Sequence, residues 1–379
     1  MNINIIGAGP AGLYFGLLMK KQNPGHQIVI LERNAPNATF GWGVVFSDKT
    51  LSYLRDADPQ TYIEIISNFE TWDNVDIVHR DEKITVRGNK FSGISRLKLL
   101  RILQHRCTEL GVELQFQTEA VDFDSLTKCD LLIGADGVNS GVRARYSDTF
   151  KPALSFRSNK YIWYGTRRLF DGLTLTFREN ADGVFAAHSY KFDKRTSTFI
   201  VECDMATWSN AHFGEMSDEE TQRYLEVVFA GDLEGQPLLS NNSKWINFLN
   251  VRNEHWHCGN IALLGDALHT AHFSIGSGTK LALEDAIALK ECFSSTSKVS
   301  DALRLFQEIR KPIIEEYQAA ALESLLWFED IGKHIQLEPM DLAFSLMTRS
   351  KKIDRENLRR RDPKFIADYD RWRASHSSE

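Results

Sequence analysis

Gly7-Ala8-Gly9-Pro10-Ala11-Gly12 stands between an apolar run, residues 3–6, and a run of helical periodicity, residues 13–20, and Glu32 ends a second apolar run. Strand, glycine turn, helix and strand in this order open a βαβ unit. In such a unit the first glycine permits the tight turn, the second lets the backbone approach a pyrophosphate, and the third lets the helix pack close to the sheet. Those roles fall to Gly7, Gly9 and Gly12, with Ala11 in the same turn. The helix that follows offers unpaired N–H groups and a positive dipole end to phosphates. Glu32, followed by Arg33, lies at the spacing where an acid accepts hydrogen bonds from an adenosine ribose. An acid there disfavours a 2′-phosphate, so the expected dinucleotide is FAD or NAD rather than NADP.

Two further segments extend this reading. Gly134-Ala135-Asp136-Gly137-Val138-Asn139-Ser140 follows an apolar run, with Arg143 just beyond it. Leu264-Gly265-Asp266-Ala267-Leu268-His269 follows another, residues 261–265. An aspartate after a buried strand can accept a hydrogen bond from a sugar or ribitol hydroxyl, although Asp-Gly and Gly-Asp alone are ordinary turns. Beyond Asp266, a helix start near Gly276, Gly278 and Thr279 can present its positive end to a ring edge that carries negative charge.

The chain has 379 residues and a net charge of −6, which sets aside bulk nucleic-acid affinity. No apolar stretch is long enough to span a bilayer. The first residues run straight into a strand without a basic region and cleavage site. Cys107, Cys129, Cys203, Cys258 and Cys292 are scattered without metal spacing and read as reduced thiols of a cytoplasmic protein. His255 and His257 flank Trp256 with Cys258 next, but no second cluster completes a metal site.

The fold expected is α/β with an α+β insert: a Rossmann-like nucleotide domain interleaved with an antiparallel sheet domain, then C-terminal helices. Residues 34–70 read as irregular. Residues 96–110 read as a helix stopped by Gly111. Runs at residues 161–164, 173–177, 184–190 and 196–203 are β-branched and aromatic, separated by Gly, Asp and Asn, and predict the inserted sheet. From Gly278 onward the pattern is helical, with a long amphipathic helix over residues 303–328. The boundaries follow. Residues 1–70, 91–155 and 255–300 form the nucleotide domain, residues 71–90 and 156–254 the sheet domain, and residues 301–379 a helical region.

Together these segments resemble the flavin-dependent aromatic hydroxylases of the para-hydroxybenzoate hydroxylase type, over nearly the whole chain. A narrower similarity lies in Gly41-Trp42-Gly43-Val44-Val45-Phe46, Asn159-Lys160-Tyr161-Ile162-Trp163-Tyr164-Gly165-Thr166, Ser197-Thr198-Phe199-Ile200-Val201-Glu202-Cys203 and Ala271-His272-Phe273-Ser274-Ile275-Gly276-Ser277-Gly278-Thr279-Lys280. It points to the subgroup of salicylyl-CoA 5-hydroxylase, anthraniloyl-CoA monooxygenase and the violacein-pathway tryptophan hydroxylase. The stretches Thr279-Lys280-Leu281-Ala282-Leu283-Glu284-Asp285-Ala286 and Asn357-Leu358-Arg359-Arg360-Arg361-Asp362-Pro363 are closer to the aryl-CoA members.

The resemblance implies FAD as cofactor and NADH or NADPH as reductant. Dioxygen would react at the flavin C4a to give the hydroperoxide that hydroxylates an electron-rich ring. The glycine turn and Glu32 would hold the ADP part, Asp136 and Gly137 would serve FAD and NAD(P)H, and Gly265 and Asp266 the ribitol. Arg96 would meet the FAD phosphates, or else stand as a solvated charge at a helix start.

His269, His272 and His188 are candidate acid–base groups for a phenol or aniline. Trp42, Val45, Phe46, Tyr164 and Phe273 are candidate substrate contacts. Residues 349–364 hold eight Lys or Arg against three acids. They are candidates for the phosphates of a CoA thioester, with Lys160, Arg167, Arg168, Lys191, Lys194 and Arg195 as rivals. The expected partners are a small aromatic substrate, preferably salicylyl-CoA or anthraniloyl-CoA hydroxylated at position 5, and dioxygen, with no nucleic acid, no membrane and no metal, in a monomer or homodimer. The alternatives are a hydroxylase of free tryptophan or another natural-product intermediate, and a flavin- or NAD-dependent dehydrogenase or binding module without oxygen transfer.

Overall fold

The computed structural model describes residues 1–376; residues 377–379 of the expected helical region lie outside the described residues. A six-stranded sheet carries, in spatial order, His257–Cys258, Ile261–Leu263, Leu131–Gly134, Asn2–Ile6, Gln27–Glu32 and Glu113–Phe116. All its pairs are parallel except that of His257–Cys258 with Ile261–Leu263. Its strands are apolar runs with buried centres, as expected where helices cover both faces. The helices Pro10–Gln22, Arg96–Leu110 and Gly278–Ser295 pack in the same core. Close packing at the first turn demands glycine. Gly7 has φ +106°, and a Cβ there would lie 2.2 Å from the Ala135 carbonyl oxygen. A Cβ on Gly12 would lie 2.2 Å from the carbonyl oxygen of Gly7.

The second sheet has eight strands. Leu238–Leu239, Pro152–Thr166, Ser197–Cys203, Gly183–Lys191, Leu173–Asn180, Val75–His79 and Glu82–Val86 form one path, and Ile246–Asn253 pairs with Pro152–Thr166. The expectation of a wholly antiparallel sheet needs one correction: Leu173–Asn180 and Val75–His79 pair in parallel. The chain reaches the sheet twice, over residues 75–86 and again from residue 152, so these two strands are not joined by a hairpin. Ile162, Tyr164, Phe199 and Val201 point to one face and pack with Phe213, Leu225 and Phe229. Burying each large side chain of this kind contributes about 1.5–3 kcal/mol. Tyr161, Trp163, His188 and Ile200 point to the other face, as the period-two alternation of strands requires.

Residues 34–70, expected to be irregular, contain the strand Gly43–Ser47 and the helices Asp48–Ala57 and Pro59–Ile66. The second of these helices starts as helices usually do. Asp58 is its N-cap, accepting from the Thr61 backbone N–H, and Pro59 occupies the first turn. Gly43–Ser47, Phe91–Ser95 and Glu70–Trp72 form a third, antiparallel sheet. The 31-residue helix Val299–Glu329 leads to Pro339–Thr348, Arg355–Arg361 and Pro363–His376. Leu342, Leu346, Phe365 and Ile366 of these last helices pack on Val75, Ile77, Leu175 and Phe177 of the second sheet.

Candidate active site

A cavity of about 520 Å³ runs along the junction of the two larger sheets. Its volume falls in the range of small-molecule sites. Gly9, Pro10 and Ala11 border it at the start of one helix, and Gly276, Ser277, Gly278 and Thr279 border it at the start of another. Two positive helix ends therefore face one space. Cβ atoms built on Gly9, Gly276 and Gly278 would meet nothing within 4 Å, so open room lies beside these backbones.

Arg96 starts the helix Arg96–Leu110 and faces the same cavity. Its Nε is buried without a hydrogen-bond partner among the described residues. Burial lowers its guanidinium below the ordinary arginine value, opposed by the fields of Asp266 and Tyr190. A buried donor of this kind calls for an anionic acceptor. Asp266 also borders the cavity, open to its space although deep within the protein. Burial raises its carboxyl above the usual range, against the pull of Arg96 and His269. Arg96, Asp266, the glycine turn and the second helix start together fit a phosphate-linked flavin dinucleotide. The orphaned Arg96 donor suits the phosphates, and Asp266 suits a hydroxyl of the chain joining them to the ring.

Gly7, Gly12, Glu32, Arg33 and Asp136 do not border this cavity. Gly7 and Gly12 act by close packing, as above. Glu32 accepts from the Ala8 N–H at 2.9 Å and the Asn34 N–H at 2.8 Å, which binds the end of its strand to the glycine turn. Arg33 is exposed. Asp136 accepts from the N–H groups of Gly141 and Val142 at 2.7 and 3.2 Å, and its other oxygen is buried without a partner. Gly265 has φ +61° and borders the cavity beside Asp266.

The three candidate histidines separate. His188 borders the cavity. Its Nε2 lies 3.2 Å from Glu202 Oε2, and Asn159 Nδ2 donates to Glu202 Oε1 at 2.9 Å. Burial opposes ionisation of Glu202, but the bonds from His188 and Asn159 and the nearby histidines outweigh it, holding the carboxyl below its usual range. An ionised Glu202 makes His188 Nε2 the donor of this bond, and Nδ1 has no protein partner among the described residues. His269, by contrast, is buried off the cavity, with Nε2 2.6 Å from Asp285 Oδ2. Asp285 in turn accepts from Arg310 Nε and Nη2 at 3.0 and 2.7 Å. This triad ties the loop after Asp266 to two helices. His272 is buried too, with Nδ1 2.8 Å from Ser274 Oγ, and burial lowers its pKa to about 4.

Of the candidate substrate contacts, Val45 and Phe273 border the cavity, whereas Trp42, Phe46 and Tyr164 do not. Phe46 is 1 % exposed and packs on Phe69. Tyr164 lies on the opposite face of its strand, and Trp42 covers Gly165 and Phe192. Neighbours in the same strand, Tyr161 and Trp163, take the wall instead.

Glu202 and Arg349 were not singled out in the sequence for these places. A glutamate inside an apolar strand was the available signal for the first. Arg349 borders the cavity and is anchored by bonds to Ser324 Oγ at 2.8 Å, the Leu346 carbonyl at 2.6 Å and the Ser274 carbonyl at 2.7 Å. Burial lowers its pKa to about 10. Among the described residues, no group of three or more His, Cys, Asp or Glu side chains is placed to hold a metal ion, and no helix is long and apolar enough to cross a membrane.

Comparison with known proteins agrees with this geometry. Residues 1–320 match the family model described as FAD binding domain. The chain is 41 % identical to a salicyloyl-CoA 5-hydroxylase from a Streptomyces species, over 99 % of this chain and 74 % of that one. It is 34 % identical to a 3-hydroxy-4-methyl-anthranilyl-[aryl-carrier protein] 5-monooxygenase from Streptosporangium sibiricum, over 94 % and 97 % of the two chains. The fold is shared with a solved 2-methyl-3-hydroxypyridine-5-carboxylic acid oxygenase at a TM-score of 0.69 and 18 % identity, over 95 % of this chain and 97 % of that one. The chain belongs to the FAD-binding-domain family and is an FAD-dependent aromatic hydroxylase.

Proposed function

We propose that the protein hydroxylates an aroyl thioester, salicylyl-CoA or anthraniloyl-CoA, at ring position 5, with NADH or NADPH as reductant. The observation that carries this reading is His188, an imidazole on an aromatic-lined wall, backed by the buried Glu202 carboxylate. The printed names of the two relatives, one a CoA thioester hydroxylase and one acting on a carrier-bound anthranilyl group, support the thioester.

When bound, reduced FAD activates dioxygen and supplies one oxygen atom to the ring, the other leaving as water. Gly9, Ala11 and Arg96 would hold its phosphates. Asp266 would hold its ribitol, and the helix start at Gly276–Thr279 would face the ring edge that carries negative charge. Glu32, Arg33 and Asp136 would act at the adenosine end or by shaping the turns that reach it.

The remaining work belongs to the chain. Tyr161, Trp163, Phe273 and Val45 enclose a flat ring and exclude water. His188 Nδ1 accepts the hydrogen bond, and then the proton, of the hydroxyl ortho to the carbonyl; an amino group at that position is polarised by the same bond. Donation into the ring is strongest at the carbon para to that substituent, which is position 5. Glu202 stabilises the imidazolium that forms. His269 and His272 are positioning groups in this scheme. We place the enzyme in the cytoplasm, a reading supported by its unpaired cysteines, as a monomer or homodimer.

Turnover on a small panel tests the proposal: both thioesters, their free acids and free tryptophan, following NAD(P)H consumption and product mass. Coupled hydroxylation of a thioester is the expected result. Coupling with free tryptophan alone overturns it.

A further inference from the structure

We infer that the cavity rim where residues 87–90 meet the end of the helix Arg355–Arg361 binds the phosphates of a phosphopantetheine-linked substrate. This rests on the thioester reading above and assigns the end of the substrate remote from the ring.

The two segments are clamped together. The Arg87 N–H donates to Asp362 Oδ2 at 2.7 Å, and Arg361 Nη1 donates to Asn89 Oδ1 at 3.2 Å. Gly88 lies so close that a Cβ on it would be 2.5 Å from the Arg361 carbonyl oxygen. Asn89 and Arg361 both border the cavity that contains His188. The juxtaposition concentrates positive charge. Lys90, Arg360 and Arg361 are exposed and have no carboxylate partner among the described residues. Two acids adjoin the rim: Asp362, whose two oxygens accept the Arg87 and Phe365 N–H groups, and Asp73, which pairs with Arg87 at 3.7 Å.

In a chain of net charge −6, such an uncompensated basic rim on the mouth of an aromatic cavity calls for an anionic ligand. Guanidinium groups match phosphate oxygens in pairs. The wall that shares this part of the molecule is apolar. Phe91, Leu173, Met347 and Ile353 border the cavity and pack in one cluster. It suits an uncharged arm that carries phosphate at its far end. Of the three proposed residues Arg361 borders the cavity, and Lys90 and Arg360 adjoin lining residues in sequence; none of the rival basic residues on the sheet domain borders it, and Lys191 is paired with Glu70.

The test compares S-aroyl-CoA with S-aroyl-pantetheine, which has the same thioester and no phosphate, in wild type, Lys90→Ala and Arg360→Ala/Arg361→Ala. Wild type is expected to favour the CoA ester in kcat/KM by at least about tenfold. The double variant should lose most of that preference and Lys90→Ala part of it, while the KM for NAD(P)H stays unchanged in both and the pantetheine rate stays unchanged in Lys90→Ala. A wild-type-like melting curve certifies the folding of each variant. A third arm offers the aroyl group on a phosphopantetheinylated carrier protein. If that ester is preferred and loses the same factor, the carrier is the source of the phosphate. An undiminished CoA preference in both variants overturns the site, as does a rise in the KM for NAD(P)H instead. Wild type that hydroxylates no thioester but does hydroxylate a free acid or tryptophan defeats the thioester reading itself, a result distinct from either.

Discussion

His188 and His269 are built alike and placed differently. Each imidazole bonds through Nε2 to a buried carboxylate, Glu202 in one case and Asp285 in the other. Each carboxylate has a further donor, Asn159 or Arg310. Yet His188 stands on the wall of the reaction cavity, and His269 lies behind it in the core of the nucleotide domain. The difference in second donor matters. A neutral amide leaves Glu202 free to balance a charge that appears on His188 during the reaction. The guanidinium of Arg310 already balances Asp285, so His269 completes a fixed structural pair. A histidine–carboxylate dyad is therefore not by itself a catalytic signature, and its access to the substrate decides its role.

The comparison breaks most decisively at His188. Replacing it with alanine should lower kcat by about 10²–10⁴-fold, the usual worth of a general base, with little change in thermal stability. Steady-state kinetics beside a melting curve check both halves, and a variant that keeps its kcat would place the base elsewhere. Asp285→Ala should show the reverse pattern. It removes the carboxylate that Arg310 Nε and Nη2 bond and leaves that buried guanidinium only Glu284 at 3.8 Å, and breaking such a pair costs about 3–5 kcal/mol of stability. Denaturant unfolding reads that loss, while turnover per folded molecule is retained.

His272 sharpens the contrast, because its bonded partner is a hydroxyl and not a carboxylate. Burial lowers its pKa from 6.5 to about 4, so between these values the unfolded chain binds more protons than the folded one. Stability from this residue is complete above pH 6.5 and is lost as pH falls toward 4. The loss amounts to about 3 kcal/mol. His272→Asn should flatten that acid limb in unfolding measured across the window; an unaltered slope would show that another group causes it.

The nucleotide half was legible because its constraints are local. The turn around Gly7 and Gly12 leaves no room for a side chain, and that requirement is written in six consecutive residues. The substrate half depends on which face of a strand meets another domain. Alternation groups Tyr161 with Trp163 and Ile162 with Tyr164, but it does not say which pair looks toward the flavin. Tyr164 was therefore expected on the wall where Tyr161 and Trp163 stand. Phe46 stands off the cavity for a similar reason, since the segment expected to be irregular is partly a strand whose phenylalanine turns into the core. His269 and His272 were expected at the pocket because they adjoin the flavin motif, but tertiary packing gives them the buried partners Asp285 and Ser274 and sets His188, with Glu202, on the cavity wall. The basic stretch at residues 349–364 was readable as charge, though its position at the cavity mouth was not.

The reaction chamber takes part of its wall from Met347, Arg349 and Arg361, far along the chain from the phosphate turn at Gly9. During vectorial synthesis the nucleotide fold can assemble on the ribosome while that side still stands open to water. Oxygen chemistry in an open chamber would squander reductant and release peroxide, so docking of the last helices completes the wall that guards against both.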